Sequence, residues 1–183
     1  LCGDLSWGMS LEESLNDFQF IHALPGKKII MKGNHDYWWN TVSKMRRFFA
    51  DNGLDSIEIL HNNCLFFGEI ALCGTRGWFY ELDNQGTHNE KMLAREAGRL
   101  ETSFQMAGES CEKICFLHYP PLYQGYECSQ ILRLLQRYNA KECYFGHLHG
   151  AAQKRALEGT HFDTDFHLVA ADYVNFTPVK IRD

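Results

Sequence analysis

Four short segments far apart in the chain carry groups able to do chemistry: Gly3-Asp4, Gly33-Asn34-His35-Asp36, His118 and Gly146-His147-Leu148-His149. Together they supply carboxylate, amide and imidazole donors and no thiolate. That donor set suits Mn, Fe, Zn or Ni, without choosing among them. An oxygen and imidazole centre of this kind serves phosphoester chemistry, where bound ions hold phosphoryl oxygens and activate water. Glycines on both sides of His147 and His149 let the backbone approach closely, and two imidazoles two residues apart can address two neighbouring ions. Each segment alone also has a plainer reading. Asp4 could close a turn, Asp36 could cap a helix starting at Tyr37, His118 could bond a carbonyl, and the last segment could be an exposed polar turn. Their joint occurrence favours the metal centre.

The elements around these segments explain how they could meet. Apolar runs precede three of them: Ile29-Ile30-Met31, Ile114-Cys115-Phe116-Leu117 and Cys143-Tyr144-Phe145. Such runs read as buried strands, and ligands bind beyond the carboxyl ends of strands in α/β sheets. Ser10 with Glu13 is a capping-box signature for a helix carrying Leu11, Leu15, Phe18 and Ile21, which Pro25-Gly26 stops. A strand over 27–32, a helix over 37–52, and short strands over 57–60, 64–67 and 69–73 follow, the last three forming a meander. A helix over 90–107 leads to a second β-α-β unit: strand 113–117, helix 129–138 and strand 142–145. The tail from His161 to Val174 alternates in part and reads as strands.

Composition removes several classes. At 183 residues, 45% hydrophobic and 22% charged, the chain is long enough for a core without staples and reads as one domain over 1–183. Eighteen basic against 23 acidic residues give a net charge of −5, which excludes a chain-wide footprint for nucleic acid or anionic membrane. Seven cysteines, an odd number with no Cys-x-x-Cys pair, fit buried reduced thiols and a cytoplasmic protein. No apolar stretch approaches the ~20 residues that span a bilayer.

In their order these motifs resemble the calcineurin-like metallophosphoesterases, whose pattern runs Asp-x-His, Gly-Asp, Gly-Asn-His-Asp, His and Gly-His-x-His. Four of the five blocks are present, in order, between Leu1 and Gly150. The wording Gly3-Asp4-Leu5-Ser6-Trp7, Gly33-Asn34-His35-Asp36-Tyr37-Trp38-Trp39 and Gly74-Thr75-Arg76-Gly77-Trp78 is similar to a bacterial branch of predicted phosphohydrolases. The resemblance implies an α/β fold of two mixed β-sheets packed as a sandwich flanked by helices. It also implies a centre of two divalent ions, roughly 3.5–4 Å apart in such sites. By the same resemblance Asp4 bridges the ions, Asn34, His118 and His147 complete the second site, and His149 belongs to the first. His35 is then the general acid with Asp36 behind it, and the substrate is a phosphorylated small molecule or nucleotide-like compound. No Asp-x-His block precedes Asp4, so the chain reads as N-terminally truncated, with an unpaired edge or groove near Leu5 and a first site left to Asp4 and His149.

Arg76 is the candidate phosphate contact, because guanidinium matches phosphate oxygens bidentately; its alternative is an arginine packed on Trp78 or Phe79. Trp38 and Trp39 read as core and groove wall, while His22, His61, His88, His161 and His167 have no partner pattern. A competing function is a catalytically incomplete protein of this fold serving as a binding or scaffold module through its metal-site face or the surface around Trp7. A structural zinc site is disfavoured, since no cysteine has ligand spacing.

Overall fold

The computed structural model describes residues 1–79 and 86–182. It is a mixed α/β structure whose larger sheet has six strands. In chain order the elements are α1 (Leu15–Ala23), β1 (Lys28–Ile30), α2 (Val42–Asp51), β2 (Ile57–Ile59), β3 (Cys64–Phe67), β4 (Ile70–Thr75), α3 (Thr87–Ala107), β5 (Glu112–Leu117), β6 (Leu122–Tyr123), β7 (Tyr126–Glu127), α4 (Ser129–Arg137), β8 (Glu142–Phe145), β9 (Gly159–His161) and β10 (Thr164–Leu168). The large sheet runs β3-β4-β5-β8-β10-β9. Its four central strands are parallel, and β3 and β9 pair antiparallel at the edges.

Burial explains why the central strands hold the sheet. Cys73, Cys115, Cys143 and Phe166 lie in register across it, each fully buried. They share one cluster with Leu100 and Phe104 of α3 and Ile131 and Leu135 of α4. All seven cysteines are free, and burial pushes the Cys115 thiol well up, so these are packing residues.

Two two-stranded sheets accompany the large one, a parallel pair β1-β2 and an antiparallel pair β6-β7, so the arrangement fits the expected α/β class of sheets flanked by helices. The β1-β2 pairing splits the expected meander. Two parallel strands need a crossover between them, and α2 supplies it. β2 therefore pairs with β1, leaving β3 and β4 as a hairpin. A separate core of Phe18, Trp38, Met45, Phe49, Ile30 and Ile59 fills this half. The amino nitrogen of Leu1 donates to Ile29 O at 2.8 Å, so the first residues run beside β1.

Two helices begin later than the pattern predicts. Ser10 Oγ does accept from Glu13 N, but Glu13 reaches back to Met9 N, and this pair closes a turn one step before α1. Asn40 accepts from Thr41 N, and Thr41 is extended and caps Lys44 N, so α2 starts at Val42 and not Tyr37.

The parallel register sets the site. Thr75, Leu117, Phe145 and Leu168 form one row, so the residues that follow β4, β5 and β8 emerge side by side. Ser103 of α3 ties the helix to this sheet: its buried hydroxyl donates to Asn63 O at 2.5 Å and accepts from Gly74 N at 3.0 Å. Ser103→Ala should orphan both groups and lower stability by about 1–3 kcal/mol in urea unfolding.

Candidate metal centre

Gly3-Asp4-Leu5 and Gly33–Asp36 meet back to back. The Asp36 carboxylate, 1% exposed, accepts from four donors: Asp4 N (2.8 Å) and Gly33 N (2.7 Å) on one oxygen, Leu5 N (2.8 Å) and Trp38 Nε1 (3.0 Å) on the other. Side chains at the two glycines are impossible in this packing. A Cβ at Gly3, whose φ is +91°, would lie 2.6 Å from Gly33 Cα, and one at Gly33 would collide with the Asp4 carboxylate. Asp4 and His147 hold left-handed backbone, φ 55° and 68°, where non-glycine residues are strained.

Four of the five expected ligands converge. Asn34 Oδ1 lies 2.6 Å from His118 Nε2 and 2.9 Å from His147 Nδ1. Asp4 accepts from His35 N at 2.8 Å through Oδ1, which leaves Oδ2 3.6 Å from His118 Nε2. Donor atoms about 2.0–2.2 Å from one ion are themselves about 3 Å apart, so these spacings match a shared first shell.

The protonation pattern makes the match chemical as well as geometric. His118 Nδ1 lies 2.8 Å from Cys2 O, which can only accept, so the proton sits on Nδ1. Burial lowers the pKa of His118 although Asp4 opposes this, and the ring stays neutral. With the amide oxygen turned inward as placed, the Nε2 lone pair faces two more acceptors, Asn34 Oδ1 and Asp4 Oδ2. Acceptors aimed at one point call for a cation. Among the described residues no group of three or more His, Cys, Asp and Glu is arranged to hold an ion, and the cluster depends on the Asn34 amide as its link.

His149 stands apart from this cluster. Its Nδ1 is 2.7 Å from Asp172 Oδ1, and Asp172 Oδ2 accepts from Gly150 N at 3.0 Å. The Gly150 amide, then His149, hold Asp172 below the usual carboxylate range. This pairing leaves His149 Nε2 as the free lone pair, the arrangement that second partners impose on ligating histidines. Asp172 had no sequence signal, since it lies in a turn four residues past β10.

His35 has different neighbours from those expected. Asp36 spends its oxygens on backbone and indole donors and makes no hydrogen bond to the His35 ring. The imidazole instead lies 4.8 Å from the Trp7 ring, itself 77% exposed, with Tyr37 Oη 3.4 Å from Nδ1. Asp36 positions the loop that carries His35.

Arg76 packs on Trp78, the alternative that its sequence context offers. Its guanidinium stacks over Trp78 at 5.0 Å with Nη2 3.8 Å from the fully buried Glu96, and its buried Nε has no partner among the described residues. Its carbonyl accepts from His118 N (3.1 Å) and Tyr119 N (2.9 Å), so Arg76 fixes the ligand loop through its backbone. Tyr119 then lies 4.5 Å from the His147 ring.

The calcineurin-like phosphoesterase family matches residues 1–151, and the chain belongs to that family. The family consists of phosphoester hydrolases that generally depend on divalent metal and act on phosphorylated substrates. No curated protein matches the chain. A crystal structure 13% identical superposes with a TM-score of 0.54, covering 85% of this chain and 62% of that one; likeness at this identity speaks to the fold alone. Among the described residues no helix is long and apolar enough to cross a membrane.

Two outcomes follow from the geometry. Asp36→Asn turns one acceptor into a donor facing backbone amides, and should weaken Mn²⁺ or Zn²⁺ binding by more than about tenfold in calorimetry, because the loops carrying Asp4 and Asn34 lose their tie. Burial, then His118, lower the His147 pKa from 6.5 to about 4. The unfolded ring takes a proton first as pH falls, so the metal-free protein should be fully stabilised above about 6.5 and lose stability down to about 4. That loss, followed by thermal unfolding, should shrink in His147→Gln.

Proposed function

We propose that this protein hydrolyses a phosphoester of a phosphorylated small molecule or nucleotide-like compound, with His35 as the general acid. The observation that carries the reading is the convergence of Asp4, Asn34, His118 and His147 on one point with acceptor facing acceptor. These four residues would hold one divalent ion, of Mn, Fe, Zn or Ni type. Asp4 and His149 Nε2 are what this chain offers to a second. A bound ion would supply Lewis acidity to the phosphoryl oxygens and to the attacking water.

The chain's own residues do the rest. His118 and His147 stay neutral through burial and so remain ligands and not acids. His35 sits on the same loop as Asn34, one residue on, and its ring pairs with no carboxylate among the described residues. It can present a proton to the departing alkoxide while Asp4 holds the His35 backbone amide and fixes the loop. Trp7 lies against the ring and limits its rotation. Arg76, whose Nε lacks a partner among the described residues, is the candidate contact for a phosphoryl oxygen.

His35→Asn should lower turnover of an alkyl phosphoester by about a hundred- to ten-thousand-fold while metal content stays near wild type. For a nitrophenyl ester, whose leaving group departs without a proton, the loss should be much smaller. Equal losses on both esters, or loss of metal with activity, would remove His35 from the role of acid.

A further inference from the structure

The carboxylate of Asp172 holds two groups of a loop far from it in sequence. One oxygen lies 2.7 Å from His149 Nδ1, and the other accepts from Gly150 N at 3.0 Å. One anion therefore grips both an imidazole and the next backbone amide, which fixes the ring relative to its own main chain. A carboxylate can only accept, so it keeps the proton of the neutral ring on Nδ1 and leaves Nε2 as the lone-pair nitrogen.

Asp172 can do this because its turn is tied to the large sheet. Val169 N, just past β10, donates to Phe145 O at 2.8 Å, so the chain leaving β10 runs beside the loop leaving β8. Tyr173 N and Val174 N donate to Ala170 O at 2.9 and 3.1 Å, closing the turn around Asp172. Tyr173 Oη donates to Glu158 Oε2 at 2.5 Å, and Glu158 Oε1 accepts from Leu168 N at 2.9 Å, which fastens the turn from its other side.

Stability alone does not account for the contact. The two side chains are 54% and 36% exposed, and ion pairs so open to solvent contribute little to a fold. Capping of the short 3-10 turn at Gly150–Arg155 explains the bond to Gly150 N but not the bond to the ring. A second partner on one ring nitrogen is, however, what prepares the other nitrogen as a metal ligand. Asp172 also lies beyond residues 1–151, which the family matches, so no family motif includes it.

We propose that Asp172 is the positioning residue of His149: it selects the tautomer and ring orientation that leave Nε2 able to ligate a divalent ion, and so extends the candidate metal centre to the turn after β10. His149 as a ligand rests on the metal-dependent reading of the centre, but its tautomer does not.

The test follows the imidazole nitrogens of the metal-free chain by ¹⁵N NMR, at a pH where the rings are neutral. In wild type the His149 signals should show the proton on Nδ1. Asp172→Ala should shift the ring toward the Nε2-protonated form that free histidine side chains favour in water. Asp172→Asn, whose amide oxygen still accepts, should restore most of the wild-type pattern. Zn²⁺ is then titrated into each protein. Direct ligation moves the signal of the bound nitrogen, so His118 and His147 report one ion and His149 Nε2 the other. Asp172→Ala should raise the Zn²⁺ concentration needed to move His149 by about ten- to a hundredfold and leave the midpoints of His118 and His147 near wild type. An unaltered tautomer in Asp172→Ala, or a His149 shift at the wild-type Zn²⁺ concentration, would overturn the proposal. So would a wild-type His149 that stays unmoved while His118 and His147 respond. No response from any of the three rings in wild type would overturn the metal reading and the role of Asp172 with it, an outcome told apart by the silence of His118 and His147.

Discussion

The Asp36 carboxylate is the interaction on which the candidate site depends. Two loops from different parts of the chain have unpaired backbone amides where they meet, and one buried anion satisfies three of them together with an indole N–H. Hydrogen bonds to a charged acceptor are worth about 1.5–3 kcal/mol each, which offsets the cost of burying the charge. Without this hub neither Asp4 nor Asn34 has a fixed place. It explains the residue types around it as well. Gly3 and Gly33 lie too close for side chains, and Asp4 is held in a left-handed backbone because its amide must reach Asp36.

The second constraint is register. Parallel pairing of β4, β5, β8 and β10 aligns Thr75, Leu117, Phe145 and Leu168, so a ligand loop placed directly after a strand has little freedom along the sheet. His118 follows Leu117 and is pinned further by its bonds to Arg76 O and Cys2 O. His147 follows Gly146, whose amide donates to His118 O. The two imidazoles are thereby locked to each other through backbone before any ion is considered.

These physical levels differ in how legible they are in the sequence. Asp4, Asn34, His118 and His147, which the fold brings together, could be picked out because their loops are short and local, and buried strands with plain apolar runs precede most of them. The pairing of β2 with β1 was not legible, since Ile57–Ile59 looks the same whether its neighbour is β1 or β3; the choice belongs to the α2 crossover. The start of α2 is not legible because Asp36 looks like a cap, whereas its oxygens are taken by the amides of Gly33, Asp4 and Leu5 and by the Trp38 indole. Asp172 and Glu96 carry no motif at all. Their place comes from a turn after β10 and a helix face that only the tertiary fold brings next to the candidate site.

Two unbalanced charge distributions therefore sit side by side: acceptors turned inward at Asn34, and cations in excess around Glu96. They do not cancel each other, because each is tied to its own framework. The Asp4 carboxylate is held by the His35 amide and faces His118, while Arg99 is held by Glu96 on α3. A phosphorylated ligand with its counter-cation could satisfy both at once, the cation meeting the acceptors and the phosphate the guanidinium groups. Fixed dipoles and charges that are already oriented need little reorganisation when such a ligand arrives, which is the condition under which they stabilise developing charge best. In the proposed reading, the strain and repulsion carried by the folded protein are thus located where substrate and ion bind, and the apolar cores on either side of the site supply the rigidity that keeps them apart.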